Sequence, residues 1–311
     1  MRGLEISESF YNEYSMRLFK EFDVMSRAAT GLAGEGSECL GYDDAFSRDH
    51  DFDPGFCIWL TEEDYEKYGF ALSRAYSRLP KEYMGLKRGL VSPVGGDRRG
   101  VMSIGEFYTR HIGSPAPPES NYQWLYTPPY ALRAATSGKV FFDGAGRFSQ
   151  IRDILKQGYP PDVKRKKIAA HLALMAQAGQ YNYGRCVSRG ESGAAALCAH
   201  EFVIHAIALI YLINDVYQPF YKWAFRGLRE LERLSDLEFT LSELIQTGNG
   251  EKEGQQKQDI IEDVAAVICA ELCREGLSFA QGSDLEKHAL SVTKGITDAE
   301  LRNMHIMEGI S

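Results

Sequence analysis

The sequence lacks paired cysteines, long apolar runs and an excess of positive charge. Six cysteines are scattered through 311 residues without a C-x-x-C pair, so the spacing of most structural zinc sites and the framework of small disulfide-rich domains are excluded. The longest apolar stretch, Phe202 to Ile213, is interrupted by His205 and is too short to span a bilayer. Because 43 acidic residues face 35 basic ones, the chain has no overall basic footprint for nucleic acid. We expect a cytoplasmic protein without a membrane or nucleic-acid partner.

The two halves of the chain differ in pattern. The first half mixes helical stretches with short apolar runs, which predict strands at residues 28–33, Phe56 to Leu60, Val101 to Ile104 and Lys139 to Phe142. From Ile151 onward strand signals are absent, and long helices are predicted over Val163 to Ala178, Gly193 to Ile213 and Tyr221 to Gln246, with residues 246–258 as a solvated connection. The fold class is therefore α+β: a domain of helices and strands over residues 1–150, followed by an all-helical bundle over residues 151–311.

Two groups of polar residues in the second half have simple structural interpretations. The basic run Lys164-Arg165-Lys166-Lys167 is typical of a solvated helix start. His200 and His205 resemble the zinc motif H-E-x-x-H, but five helical steps separate the two rings by about 140° around the axis. We therefore expect His205 to be a core histidine rather than a metal ligand.

One stretch combines features that suit phosphate and metal chemistry. Gly36 and Ser37 lie where a turn opens a helix after the first strand, so their backbone N–H groups could face phosphate oxygens. Asp49 and Asp51 are two residues apart, so on an extended segment they project from the same face. Two such carboxylates can share one Mg²⁺ ion, or a pair of ions, that also grips a triphosphate. The Gly-Lys-Ser/Thr of a P-loop is absent.

This combination resembles the nucleotidyltransferase superfamily, in which a Gly-Ser turn is followed by Asp-x-Asp on a strand. More closely, the chain resembles the domain of unknown function 4037 (DUF4037) family from about residue 28 to about residue 230; kanamycin nucleotidyltransferase and its relatives are a more distant likeness. The residues that carry the resemblance are Gly36-Ser-Glu38, Leu40-Gly-Tyr-Asp-Asp44, Ser47-Arg-Asp-His-Asp51, Val140-Phe-Phe-Asp143 with Gly146, Arg152-Asp-Ile-Leu155, Tyr159-Pro-Pro-Asp-Val163 and Tyr217-Gln-Pro-Phe-Tyr-Lys-Trp223.

The resemblance implies a nucleotidyltransferase-like mixed sheet with flanking helices and a Mg²⁺-dependent transfer of a nucleoside monophosphate, AMP being the expected one, from a nucleoside triphosphate to a small-molecule or protein acceptor. Asp49 and Asp51 would be the catalytic metal ligands, with a two-metal site possible. Gly36 and Ser37 would bind the nucleotide phosphates. Lys222, beside Trp223, is a candidate triphosphate contact from the helical domain; a surface lysine is the alternative.

Two departures from the superfamily pattern keep alternatives open. Active members usually add a third carboxylate on a later strand, and Val101 to Ile104 carries none, so Glu106 or Asp143 would have to serve. Antibiotic-modifying relatives use a glutamate base where this chain has the helix that ends at Gln180, and Glu191 is the nearest substitute. The alternative function is a catalytically silent nucleotide-binding or regulatory protein of the same fold. A simple interaction protein would leave the Gly-Ser turn and the aspartates without a shared purpose.

Overall fold

The computed structural model describes residues 1–44, 47, 53–89 and 98–310. The chain forms two compact units. Unit 1 comprises Met1–Pro117 and Ala131–Gln157, and unit 2 comprises Pro118–Tyr130 and Gly158–Ser311. The predicted boundary at residue 150 falls inside helix α7 (Arg147–Lys156), which packs on strand β6 (Lys139–Asp143) of unit 1.

Unit 1 is built on a mixed four-stranded sheet in the order β5-β2-β1-β6. The four predicted strands are confirmed as β1 (Ala29–Leu32), β2 (Cys57–Leu60), β5 (Gly100–Ser103) and β6. Strand β1 pairs antiparallel with β2 and β6, and β2 pairs parallel with β5. A separate hairpin joins β3 (Glu82–Tyr83) to β4 (Leu86–Lys87). The helices of this unit are α1 (Gly3–Phe19), α2 (Ser37–Leu40), α3 (Glu62–Ser77), α4 (Ile104–Ile112), α6 (Pro129–Thr136) and α7.

Strand β2 is buried on both faces, which explains why its sequence is a continuous apolar run. Ile58 and Leu60 belong to a core cluster with aromatic residues of α1 and α3. Trp59, which points to the opposite face, stacks on Phe148 of α7 at a centroid distance of 4.0 Å and meets Phe107 of α4 edge-on. Helices therefore flank the sheet on both faces, and the predicted α+β class is confirmed.

Unit 2 consists of helices, and no strand occurs in it among residues 158–310. Helix α8 (Pro161–Met175) continues through a π-helical stretch, Ala176–Tyr183, into α9 (Gly184–Ser188). The remaining helices are α5 (Asn121–Tyr126), α10 (Ser192–Ile213), α11 (Tyr221–Leu228), α12 (Leu237–Gln246), α13 (Glu251–Arg274), α14 (Leu285–Thr293) and α15 (Ala299–Asn303). Buried side chains of α8, α10, α13 and α14 form its core.

Two secondary-structure predictions for unit 2 were wrong. The single helix predicted over Tyr221 to Gln246 is divided into α11 and α12. Leu234, between them, adopts a left-handed φ of 60°. The Asn214 side chain accepts a hydrogen bond from Arg233 N and donates one to the Arg233 carbonyl, which holds the backbone out of a helix. The connection over residues 246–258 is instead largely helical, since α13 already begins at Glu251. Lys257, within this supposed solvated stretch, is buried and donates to the Thr247 carbonyl and to Asn249.

Helix α10 confirms the helix predicted over Gly193 to Ile213. Its 22 residues begin at Ser192, and by length and hydropathy alone it passes the test for a membrane-spanning helix, the one that does so among the described residues. However, 61% of that span is buried inside the protein, as is typical of the central helix of a bundle.

Candidate functional site

The turn after β1 has the geometry that the Gly-Ser motif predicts. Strand β1 ends at Leu32, and α2 begins at Ser37 with Gly36 as its N-cap. Gly36 has a φ of 128°, and a Cβ there would lie 2.7 Å from Glu38 Oε2, so only glycine fits. Ser37 is half-buried, and its hydroxyl makes no hydrogen bond within the described part of the chain. With four residues, α2 supplies free N–H groups rather than a substantial macrodipole.

A buried ion pair stabilises this turn. The Arg99 guanidinium donates to Glu38 Oε1 at 2.9 Å, and each side chain is 9% exposed. Burial is the largest single influence and lowers the pKa of Arg99, but the negative charges of Glu38 and Asp53, with smaller contributions from Cys57 and Cys39, together outweigh it, so the pKa of Arg99 is raised. The first residue after Ser37 is therefore held in place by the segment that leads into β5.

His111 of α4 also lies against the turn, a contact that sequence analysis did not predict. A Cβ on Gly34 would lie 3.2 Å from His111 Nε2. Burial lowers the pKa of His111 to about 4, so the imidazole is neutral at physiological pH. No local sequence pattern indicates this contact, because His111 is distant from the turn along the chain and approaches it only through the folding of the sheet and α4.

The predicted metal ligands Asp49 and Asp51 lie outside the described residues. The described carboxylates near them already have structural partners: Asp43 Oδ2 accepts from Gly3 N at 2.8 Å, and Asp53 accepts from the backbone of Gly55 and Gly89. Among the residues described, no group of three or more His, Cys, Asp or Glu side chains could hold a metal ion. Asp49 and Asp51 stay the predicted metal ligands. The other oxygen of Asp43, Oδ1, is buried and has no hydrogen-bond partner among the described residues.

The candidates for a third carboxylate are engaged elsewhere. Strand β5 carries no acidic residue. Glu106 follows it in the first turn of α4, where its exposed side chain pairs with Arg110 at 3.1 Å. Asp143 ends β6 and accepts from Ser149 N at 2.8 Å, which caps the start of α7. Neither residue is presented as a metal ligand.

The candidates for a base in the helical unit are likewise explained by structure. Gln180 donates to Glu262 Oε2 at 2.8 Å and to the Ser283 carbonyl, and it accepts from Leu285 N. It therefore fastens α13 and α14 to the π-helical stretch. Glu191 is exposed at the N-cap of α10.

Lys222, the predicted triphosphate contact, is exposed on α11 of unit 2. Its ammonium lies 5.3 Å from the centroid of the Trp223 ring, a cation–π distance. A contact with Trp223 is compatible with a phosphate contact and with a surface lysine, so both interpretations of Lys222 stay predictions.

The sequence from α5 to α11 is similar to a known protein family. Residues 124–224 match the family model of DUF4037, a domain of unknown function. The predicted DUF4037 resemblance is thereby confirmed over what we call the DUF4037 segment. No curated protein matches the chain. A solved structure of a nucleotidyltransferase-like protein from Exiguobacterium sibiricum is similar at 10% identity and a TM-score of 0.36, over 93% of this chain and 90% of that one.

The DUF4037 segment also lines a cavity in unit 2 that sequence analysis did not predict. The cavity has a volume of about 300 Å³, in the range of small-molecule sites. Apart from Ile310, every lining residue lies in the DUF4037 segment, and the wall includes Tyr130, Tyr159, Lys167, His171, His205, Tyr217, Phe220 and Tyr221.

The prediction that the basic run Lys164 to Lys167 is a solvated helix start is wrong, because Lys166 and Lys167 are only 2% and 3% exposed. The expectation that His205 is a core residue is confirmed by its burial.

Proposed function

We propose that this protein is a Mg²⁺-dependent nucleotidyltransferase that moves a nucleoside monophosphate, AMP in the first instance, from a nucleoside triphosphate to a small-molecule or protein acceptor. One observation carries the proposal. Gly31 of β1 pairs with Cys57 of β2 in an antiparallel register, so the end of β1 lies beside the start of β2. The Gly36–Ser37 turn therefore follows β1 at the edge of the sheet where β2 begins. In the sequence, Asp49 and Asp51 shortly precede β2.

The parallel register adds the start of β5 to the same edge. Cys57 pairs with Gly100, so Arg98 and Arg99 precede β5 where the turn and the entry to β2 meet. A phosphate group held there would meet backbone N–H groups and the Ser37 hydroxyl. This combination supports a site for the triphosphate of a nucleotide.

In the proposed reaction, an acceptor oxygen attacks the α-phosphorus, the bond from that phosphorus to the bridging oxygen of the β-phosphate breaks, and pyrophosphate leaves. Mg²⁺ held by Asp49 and Asp51 would neutralise charge on the triphosphate and on the departing pyrophosphate. Gly36 and Ser37 would orient the β- and γ-phosphates, and the acceptor proton would pass to solvent. For Lys222, a contact with the triphosphate stays a prediction.

A second function, a silent nucleotide-binding protein, is favoured by the lack of acidic residues on β5 and by the structural roles of Glu106 and Asp143. It would bind the magnesium–nucleotide complex through the same residues and release no pyrophosphate. We place the protein in the cytoplasm in either case, as its free thiols favour a reducing compartment.

Transfer is tested with ATP carrying a radioactive label on the α-phosphate, incubated with the protein, Mg²⁺ and an extract of metabolites and proteins. Label should reach an acceptor from α-labelled ATP and not from γ-labelled ATP, because a nucleotidyl group keeps only the α-phosphate. The Asp49→Asn/Asp51→Asn variant should transfer none. The charge-matched Asp259→Asn/Asp263→Asn variant of exposed α13 residues should behave as the wild type. Nucleotide binding without transfer would select the silent alternative, and transfer of the γ-label would contradict both.

A further inference from the structure

The cavity in unit 2 has a wall suited to a flat apolar body. Tyr159 and Tyr217 meet edge-to-face with ring centroids 5.1 Å apart, and Tyr130 and Phe220 do so at 6.1 Å. Such rings leave faces and edges that a further ring can contact favourably. The volume of about 300 Å³ lies at the lower end of the range for small-molecule sites, which suits a small ligand.

Lys167 places one positive charge in this wall. Its ammonium has three donor protons, and the hydrogen bond described for it is to the carbonyl of Gly309 at 3.0 Å. No carboxylate forms an ion pair with it among the residues that the structure covers. Burial lowers the pKa of Lys167 to about 8, so the group is still mostly protonated at neutral pH. A buried ammonium whose described contacts are all with neutral groups is a charge that an anion would stabilise.

The two histidines of the cavity wall, His171 and His205, add neither a negative nor a second positive charge beside Lys167. His171 Nδ1 and His205 Nδ1 lie 3.1 Å apart, so one must donate and the other accept, and two protonated rings could not share this contact. Burial lowers the pKa of both rings. The carboxylate closest to them, on Glu201, is 59% exposed and lies 3.4 Å from His205 Nε2. Among the described residues that line it, the cavity therefore offers one cation, Lys167, in a largely neutral wall.

The Tyr159 hydroxyl is a further polar group in the same wall. It is buried and has no hydrogen-bond partner in the described part of the chain. A buried hydroxyl without a partner costs free energy, which a ligand oxygen could recover. Its ring lies 5.3 Å from the Lys167 ammonium, so both groups belong to one end of the cavity.

We propose that this cavity is a binding site for a small amphipathic monoanion, an aromatic carboxylate whose ring packs against the tyrosines and whose carboxylate contacts Lys167. A dianion such as a phosphate monoester would bring a second negative charge into a wall with one cation, and an apolar wall disfavours that excess. The site lies wholly in unit 2 and is independent of the proposed nucleotide chemistry.

The test uses naphthoate and its neutral isostere naphthamide, titrated into the full-length protein by calorimetry. The two probes share a ring body and differ in charge, so their ratio of dissociation constants reports the contribution of the carboxylate. We expect naphthoate to bind at least about tenfold more tightly than naphthamide, as for a hydrogen bond to a charged group. Equal binding of the two probes, or binding of neither, would overturn the proposal, and this comparison needs no variant.

Variants then locate the site. Lys167→Met should reduce the naphthoate-to-naphthamide ratio to about one, since an apolar side chain provides no charge. Lys166→Met is the matched control: Lys166 is also buried and also bonds a C-terminal carbonyl, that of His305 at 2.6 Å, but it does not line the cavity. Ala208→Phe, which fills the cavity, should abolish binding of both probes. A ratio unchanged by Lys167→Met, or lost equally in Lys166→Met, would contradict the assignment.

Discussion

Among single residues, buried charges define both candidate sites. Glu38 and Arg99 neutralise each other beneath the Gly-Ser turn, whereas the hydrogen bond described for Lys167 is to a neutral group, the Gly309 carbonyl. The difference matters because a paired buried charge serves structure, while a single one is stabilised further by a ligand of opposite charge. The first arrangement fixes a backbone turn, and the second offers a binding group.

The buried pair leads to a prediction for stability. Arg99→Met should lower the free energy of unfolding by about 3 kcal/mol or more, because it leaves the Glu38 carboxylate buried without its partner. Arg110→Met, which removes an exposed ion pair with Glu106, should cost less than about 1 kcal/mol. Urea denaturation of the two variants provides the comparison. The account of the pair fails if the two variants lose the same stability.

At the scale of elements, the predictable parts of the fold are those whose pattern is local. The run Phe56 to Leu60 predicted a strand correctly, because five consecutive apolar residues after a Pro-Gly turn suit a strand buried on both faces. The division of Tyr221 to Gln246 into two helices was not predictable, since it depends on Asn214, a residue from the end of another helix. The burial of Lys167 was hidden for a similar reason: its partner is a carbonyl of the C-terminal segment.

The candidate site divides in the same manner. The Gly36–Ser37 turn was predicted from sequence because positive φ and a tight helix start have a local signature. The Arg99 and His111 contacts required the order of strands in the sheet, which spacing alone does not determine. The cavity of unit 2 required side chains from α8, α10 and the stretch that follows α10 to come together.

The β3–β4 hairpin provides a prediction at this scale. Its two-residue turn is Met84-Gly85, and both residues have positive φ, 50° and 78°, a geometry that favours Asn-Gly. Met84 is 57% exposed, so Met84→Asn should raise the free energy of unfolding by up to about 1 kcal/mol by relieving left-handed strain. Met16→Asn, at an exposed position of α1, should instead lower it by a few tenths of a kcal/mol, reflecting helix propensity. Thermal unfolding of both variants measures the difference, and destabilisation by Met84→Asn would contradict the turn assignment.

At the scale of the whole molecule, the chain separates two kinds of site between two units. Unit 1 has a mixed sheet whose edge brings together the starts of β2 and β5 with the end of β1. Unit 2 has a helical core with its own cavity, and residues 118–130 join it although they precede the last strand of unit 1. The match to DUF4037 begins at residue 124 and ends at 224, so it includes parts of both units.

The central claim, a magnesium–nucleotide site at the Gly36–Ser37 turn with Asp49 and Asp51, is tested most directly by thermal unfolding with ATP. At 100 times its dissociation constant a ligand adds about 2.7 kcal/mol, which corresponds to a rise of several degrees in the midpoint. The account predicts that rise with ATP and Mg²⁺ together, none with ATP and a chelator, and none for Asp49→Asn/Asp51→Asn, while Asp259→Asn/Asp263→Asn responds as the wild type. An equal rise in the Asp49→Asn/Asp51→Asn variant, or no rise with any nucleoside triphosphate, would contradict it.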